Sequence, residues 1–167
     1  MSTHKVSSQW QKNVQMIFNA CRYAFSPNES CFKMTADFRH FVALGGFHNE
    51  DYQGKSIYDL GFEENQIDVL AKDVNGDNML FTAINSGSPK AVEIVIQMAR
   101  LNGDVAPLLN ARRHDKKTAQ DVIQDLCRLA SMGAPEQYVK AWGGMKKSLD
   151  HASEHLQMKK RFQALKN

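Results

Sequence analysis

The sequence has few cysteines, no long apolar run and little net charge. Its three cysteines are odd in number, widely spaced and outside any Cys-x-x-Cys pair, which favours core thiols over disulfides or metal ligands. No apolar run approaches the roughly 18 residues that a membrane-spanning helix needs. The polar N-terminal residues lack the apolar segment of a signal peptide. We therefore expect an intracellular, cytoplasmic protein without a membrane span.

The composition is that of a folded chain of ordinary size. The 167 residues are 43% hydrophobic and 23% charged, close to the average for globular proteins. This length supports one hydrophobic core but not two full-sized ones. We predict a single α-helical domain over residues 1–167.

Apolar residues recur at helical spacing through most of the chain, and no segment shows the sustained alternation of a half-buried strand. The fold class is therefore predicted to be all-α. One amphipathic helix is predicted from Ser7 to Phe25, followed by a loop to about Met34. A second is predicted from Thr35, as its N-cap, to Leu44. These N-terminal helices occupy residues 7–50.

The segment from Asp73 to Ala99 predicts a turn, a short helix, a tight turn and a longer helix. Asp73 and Gly76 suit a β-turn, because aspartate can bond nearby backbone groups and glycine tolerates a left-handed conformation. Gly87 is predicted to end the short helix. Ser88 then caps the longer helix, with Pro89 at its first position.

This pattern resembles the ankyrin repeat, a pair of helices preceded by a β-turn. The matching residues are Asp73, Gly76, Leu80, Ala83 and Gly87. Asn78, Met79 and Phe81 stand where the family has threonine, proline and histidine. Related patterns occur upstream, with Gly54, Ser56, Asp59 and Leu60, and downstream, with Asn110, Lys116, Thr118 and Asp121. Both Ser56-x-x-Asp59 and Thr118-x-x-Asp121 predict a capped helix.

The resemblance implies two or three divergent ankyrin-like helical hairpins within residues 51–132. The glycine-equivalent positions 54, 76 and 116 are 22 and 40 residues apart, so the array is irregular. Because one hairpin cannot bury its own apolar face, the flanking N- and C-terminal helices are expected to act as caps. In the C-terminal part, residues 133–167, we predict a break at Gly143-Gly144 and a last helix from Met145 to Leu165.

An ankyrin-like fold implies a protein–protein interaction module, in which finger turns and the exposed side of the short first helices bind a protein partner. The turns should expose mixed charges, which suit the recognition of another protein. The predicted partner-binding residues are Asn75, Asp77, Thr82, Asn85, Ser86, Arg113, His114 and Lys117.

Charge is unevenly distributed along the chain, whose formal net charge is +3. Residues 50–77 contain eight acidic and two basic side chains, and residues 140–167 contain seven basic and two acidic ones. This asymmetry predicts a weak, charge-driven self-association that salt should screen. The basic clusters lack interleaved aromatic residues, so the sequence does not favour nucleic-acid binding.

Two alternative functions stay open at this point. His151-x-x-Glu154-His155 resembles the zinc-binding helix of inverted zincins, which would make the protein a metal-dependent hydrolase. The sequence pattern does not indicate a third metal ligand. We therefore expect no metal, cofactor or catalytic residue and favour a non-enzymatic protein. The other alternative is a bacterial effector or regulator, delivered into a host cell by a signal-less route, whose ankyrin part docks a host or cognate protein.

Overall fold

The computed structural model describes residues 27–48 and 55–166. This part of the chain contains α-helices and short 3-10 turns but no strand, which confirms the all-α prediction for it. The predicted helix from Ser7 to Phe25 and the upstream residue Gly54 lie outside the described residues. The α-helices are α1 (Pro27–Ala43), α2 (Met79–Ser86), α3 (Pro89–Leu101), α4 (Ala106–Asn110), α5 (Ala119–Ser131) and α6 (Glu136–Ala164).

The chain divides into two compact units, residues 1–68 and 69–167. The first unit contains α1 and 3-10 turns at Gly46–His48, Tyr58–Leu60 and Glu64–Gln66. The second unit contains the other five helices. This division describes only the packing within each unit. It does not test the prediction of a single domain, which stays a prediction.

The core of the first unit is a cluster of phenylalanine rings. Phe38 and Phe41 on α1 each contact Phe47 and Phe62, with ring centroids 5.1–5.9 Å apart and mostly edge-to-face. This geometry places the positive edge of one ring against the negative face of another. Because all four rings are buried, they fix the segment after α1 against that helix.

The predicted loop before Met34 and the N-cap role of Thr35 are wrong. Helix α1 begins at Pro27, since proline is tolerated in the first turn of a helix, where its missing N–H would have no partner. Thr35 lies inside α1 and is buried. Its Oγ1 accepts a hydrogen bond from the backbone N–H of Asp68 at 2.8 Å, which links the helix to the end of the unit.

Ser56 and Asp59 exchange the predicted capping hydrogen bonds. The Ser56 N–H donates to Asp59 Oδ2 at 2.8 Å, and the Asp59 N–H donates to Ser56 Oγ at 3.3 Å. Only a 3-10 turn, Tyr58–Leu60, follows. The capping box is therefore present without the α-helix that it predicted.

In the second unit, side-chain caps begin α2, α3 and α5. Asn78 Oδ1 accepts from the N–H groups of Leu80 and Phe81, and Ser88 Oγ accepts from that of Ala91. Thr118 and Asp121 form a complete capping box at the start of α5. The predicted helix starts at Ser88 and Thr118 are thus confirmed.

The helices of the second unit pack as two pairs. Helix α2 contacts α3, and α5 contacts α6; across the pairs, α2 contacts α5 and α3 contacts α6. Seven of the thirteen residues of α3 and five of the eight residues of α2 are buried, so these two helices supply much of the core of the unit. The short α4 contacts both α5 and α6 and buries Leu108 and Leu109.

The predicted break at Gly143-Gly144 is wrong, because α6 runs through it as one helix of 29 residues. Gly144 lies against Pro89, and a Cβ at position 144 would lie 3.2 Å from the proline Cβ. A Cβ at position 143 would meet nothing within 4 Å. The glycine at position 144 therefore allows α6 to approach the start of α3, and tertiary packing offsets its low helix propensity.

Substitution of these two glycines by alanine should change the free energy of unfolding differently. Gly143→Ala should raise the free energy of unfolding by about 0.5–1 kcal/mol, because alanine loses less backbone entropy in a helix. Gly144→Ala should be at least about 1 kcal/mol less favourable than Gly143→Ala, because its methyl group overpacks the contact with Pro89. Urea denaturation of both variants and the wild type measures the difference. Equal effects would show that Gly144 is not a packing contact.

Candidate protein-binding surface

The first turn, residues 73–77, is closed by two backbone hydrogen bonds. The Asp73 N–H donates to the Asp77 carbonyl at 2.9 Å, and the Gly76 N–H donates to the Asp73 carbonyl at 3.0 Å. Asp73 Oδ1 also accepts from the N–H groups of Asn75 and Asp77. Gly76 has a φ of +80°, so the fourth position of this turn is left-handed.

The second turn, residues 113–117, repeats this backbone pattern. The Arg113 N–H donates to the Lys117 carbonyl at 3.0 Å, and the Lys116 N–H donates to the Arg113 carbonyl at 2.9 Å. Its fourth residue, Lys116, is also left-handed, with a φ of +64°. Here Asp115 Oδ1, rather than the first residue, accepts from the Lys117 N–H. Each turn is followed directly by a capped helix, α2 or α5.

Arg113 connects the second turn to α2. Its guanidinium is paired with the Asp115 carboxylate and lies over the ring of Phe81, 5.7 Å from the ring centroid. A cation above an aromatic face is attracted by the negative charge of that face. The Asp115 hydrogen bond raises the pKa of Arg113, and the negative charge of Asp77 adds to the effect. Arg113 therefore stabilises the arrangement of the two turns and is half-buried.

Lys117 is held by a second ion pair. Its Nζ lies 2.5 Å from Oδ2 of Asp125 on α5, and this hydrogen bond raises the lysine pKa. Arg128 Nη1 lies 3.6 Å from the other oxygen of the same carboxylate. Although Lys117 is exposed, its charge is already balanced within the chain.

The predicted partner-binding residues differ in how available they are. Asn75, Asn85 and His114 are exposed. Thr82 and Ser86 are half-exposed, and their hydroxyl groups lie 3.5 Å and 2.7 Å from the carbonyls of Asn78 and Ala83. Asn75, Asn85 and His114 thus offer the most accessible polar groups of the predicted set.

Asp77 was predicted to be exposed, and this prediction is wrong. It is the last residue of the first turn, and only 8% of its surface is accessible. Its carboxylate acts on Arg113 by charge. The contact of Arg113 with the ring of Phe81 carried no signal in the sequence, since these two residues are distant along the chain.

The alternative metal motif lies on the outer part of α6. His151, Glu154 and His155 are all exposed. His151 lines an open groove of about 320 Å³ between α3 and α6, beside Glu93, Arg100 and Ser148. Within residues 27–48 and 55–166, no three His, Cys, Asp or Glu side chains come together as a metal site would require.

A second groove of about 320 Å³ lies between α5 and α6. It is lined by Gln120, Asp121, Ile123, Gln124, Lys146, Leu149 and Asp150. Lys146 and Asp150 pair with each other across one turn of α6, and this hydrogen bond raises the pKa of Lys146. The charged side chains that line the groove are thus bonded within the chain, Lys146 to Asp150 and Asp121 to Thr118.

None of the helices in the described part of the chain combines the length and the apolarity needed to cross a bilayer. No protein-family model matches the chain, and neither does any curated protein or solved structure with which it was compared.

The fourth residue of each turn has a left-handed backbone conformation. Substitutions at these two positions should therefore change the free energy of unfolding in opposite directions. Lys116→Gly should raise the free energy of unfolding by about 0.5–1 kcal/mol, because it relieves the left-handed strain of a residue with a Cβ. Gly76→Ala should lower it by a similar amount, about 0.5–1 kcal/mol, since nothing within 4 Å would contact the added Cβ and only the backbone is strained. Urea denaturation measures both changes.

Lys116→Ala is the matched control, because it removes the lysine side chain and keeps the strain. It should change stability by less than about 0.5 kcal/mol. If alanine stabilised the protein as much as glycine, the lysine side chain and not the backbone would be the cause.

The Arg113–Asp115 pair predicts an acidic titration. The hydrogen bond from Arg113 lowers the pKa of Asp115 from 3.8 to about 2. Because the pKa is lower in the folded chain, the pair contributes stability above pH 3.8 and loses that contribution as the pH falls to about 2. The carboxyl ¹³C shift of Asp115 should titrate with a midpoint near 2 in the wild type and nearer 3.8 in Arg113→Gln. A wild-type midpoint at the ordinary value would contradict the pairing.

Proposed function

We propose that the protein binds a protein partner through a surface formed by two divergent ankyrin-like repeats. The observation that carries the proposal is the recurrence of one backbone pattern at residues 73–77 and 113–117. Each turn has the same two hydrogen bonds and a left-handed fourth residue, and each leads into a capped helix. Gly76 and Lys116 are the glycine-equivalent positions of the sequence resemblance, and their spacing of 40 residues makes the array irregular.

The helix contacts support the same proposal. In a stack of ankyrin-like repeats, the first helices of neighbouring repeats pack together, and so do the second helices. Here α2 and α5 follow the turns and contact each other, while α3 and α6 contact each other on the other side. Helix α6 is far longer than an ordinary second helix and takes the place of a cap.

Intramolecular pairing makes the proposed surface rigid. Arg113, Asp115, Lys117 and Asp125 form ion pairs that hold the second turn, and Asp73 bonds the backbone of the first turn. A rigid loop loses little conformational entropy when it binds, which favours affinity. The accessible groups for the partner are then the Asn75, Asn85 and His114 side chains, and both amides and imidazole can donate and accept hydrogen bonds.

The test is a triple variant, Asn75→Ala, Asn85→Ala and His114→Ala, compared with the wild type. A matched control replaces two exposed amides and one exposed histidine elsewhere, with Gln97→Ala, Gln137→Ala and His155→Ala. Both should keep the wild-type circular dichroism spectrum, because all six side chains are exposed. Affinity capture from the native source identifies the partner, and calorimetry with the purified partner gives Kd.

We expect the surface variant to raise Kd at least about tenfold, which corresponds to about 1.4 kcal/mol, and the control variant to leave it unchanged. Equal affinity for both variants would show that the turns only support the fold. Loss of binding in the control alone would place the interface on α3 and α6 instead.

A further inference from the structure

The last turns of α6 extend beyond the packed part of that helix. Met145, Leu149 and Ala152 are buried against the other helices of the second unit. From residue 157 to residue 166, every residue is exposed. All sides of this segment, which we call the α6 end, are therefore accessible.

The α6 end has an apolar stripe. Met158, Phe162 and Leu165 are 53%, 67% and 83% exposed. Their spacing of four and three residues places them on one face of the helix. Scattered apolar residues are normal on a protein surface, but three large ones in line form a continuous patch that a partner could cover.

The charges of the α6 end have one sign. Lys159, Lys160, Arg161 and Lys166 lie within it, and residues 155–166 contain no acid. At 100° per residue, Lys159 lies on one side of the apolar stripe and Arg161 on the other. Earlier on α6, Lys140 and Lys146 pair with Glu136 and Asp150. The four cations of the α6 end form no such ion pair with the described residues.

We infer that the α6 end binds the surface of an anionic membrane. A helix that lies in the interface buries an apolar stripe among the lipid chains, while lysine and arginine at its edges reach back to the headgroups. Cations on both flanks of the stripe suit a surface with negative charge on both sides of the helix, as anionic lipids provide. This binding uses residues distant in sequence from the two turns and does not rest on the proposed function.

The test is co-sedimentation of the full chain with vesicles. One set contains phosphatidylcholine alone, and the other contains equal parts of phosphatidylcholine and phosphatidylserine. We expect the wild type to sediment with the anionic vesicles only, and less as salt is raised to and beyond about 0.15 M, because salt screens the attraction. Phe162→Ser with Leu165→Ser should lower the partition coefficient at least about tenfold, since two large apolar side chains no longer insert.

Two matched controls separate the α6 end from the rest of the surface. Leu101→Ser changes a residue that is 60% exposed at the end of α3 and should leave the partition coefficient unchanged. Lys159→Gln with Lys160→Gln should weaken binding to anionic vesicles, whereas Lys140→Gln with Lys147→Gln should weaken it less. All variants should keep the wild-type circular dichroism spectrum, because the changed residues are exposed.

Three outcomes would overturn the inference. The first is that the wild type does not sediment with anionic vesicles. The second is that the Phe162 and Leu165 variant binds as well as the wild type. The chain would then be held at the vesicle surface by charge alone, without insertion of apolar side chains. The third is a mass in sedimentation equilibrium, without vesicles, that corresponds to an oligomer in the wild type and to a monomer in that variant. The stripe would then be covered by a second copy of the chain.

Discussion

Burial of α3 is the constraint on which the second unit depends. Seven of its thirteen residues are buried, so this helix cannot be stable with one apolar face turned to water. Helix α2 covers it from one side and α6 from another. Helix α6 approaches the start of α3 closely at Gly144, where an added Cβ would lie 3.2 Å from the Cβ of Pro89. The glycine that lowers the helix propensity of α6 thus lies at its close contact with α3.

The two turns are held by a different kind of interaction. Backbone hydrogen bonds close each of them, and acidic side chains brace them from within, with Asp73 in the first and Asp115 in the second. The second turn is also joined to α2 through the Arg113 guanidinium over Phe81. The basic side chains of Arg113 and Lys117, which were predicted to bind a partner, are therefore paired within the chain, while the Asn75 and Asn85 side chains are exposed. This difference supports the rigid binding surface that we propose.

The two ends of α6 behave differently from its middle. The middle packs on α3 and α5 through Met145, Leu149 and Ala152. The N-terminal turns carry a stacked pair of aromatic rings, Tyr138 and Trp142, with centroids 5.6 Å apart. The C-terminal turns carry apolar side chains beside cations that form no ion pair with residues of the described part of the chain. One helix thus contributes to the core and presents surfaces of distinct chemistry, which only its length makes possible.

The sequence by itself determined the features that are local. Helical periodicity gave the all-α class, and the caps at Ser88 and Thr118 follow from side chains that bond the backbone three residues away. Tertiary structure alone decided the continuation of α6 through Gly143-Gly144, the burial of Asp77 and the inclusion of Thr35 in α1. Two of these involve contacts between residues far apart in the chain, Gly144 with Pro89 and Thr35 with Asp68. The spacing of residues in the sequence indicates which groups can meet within one turn of a helix. It does not indicate which distant groups the packing brings together.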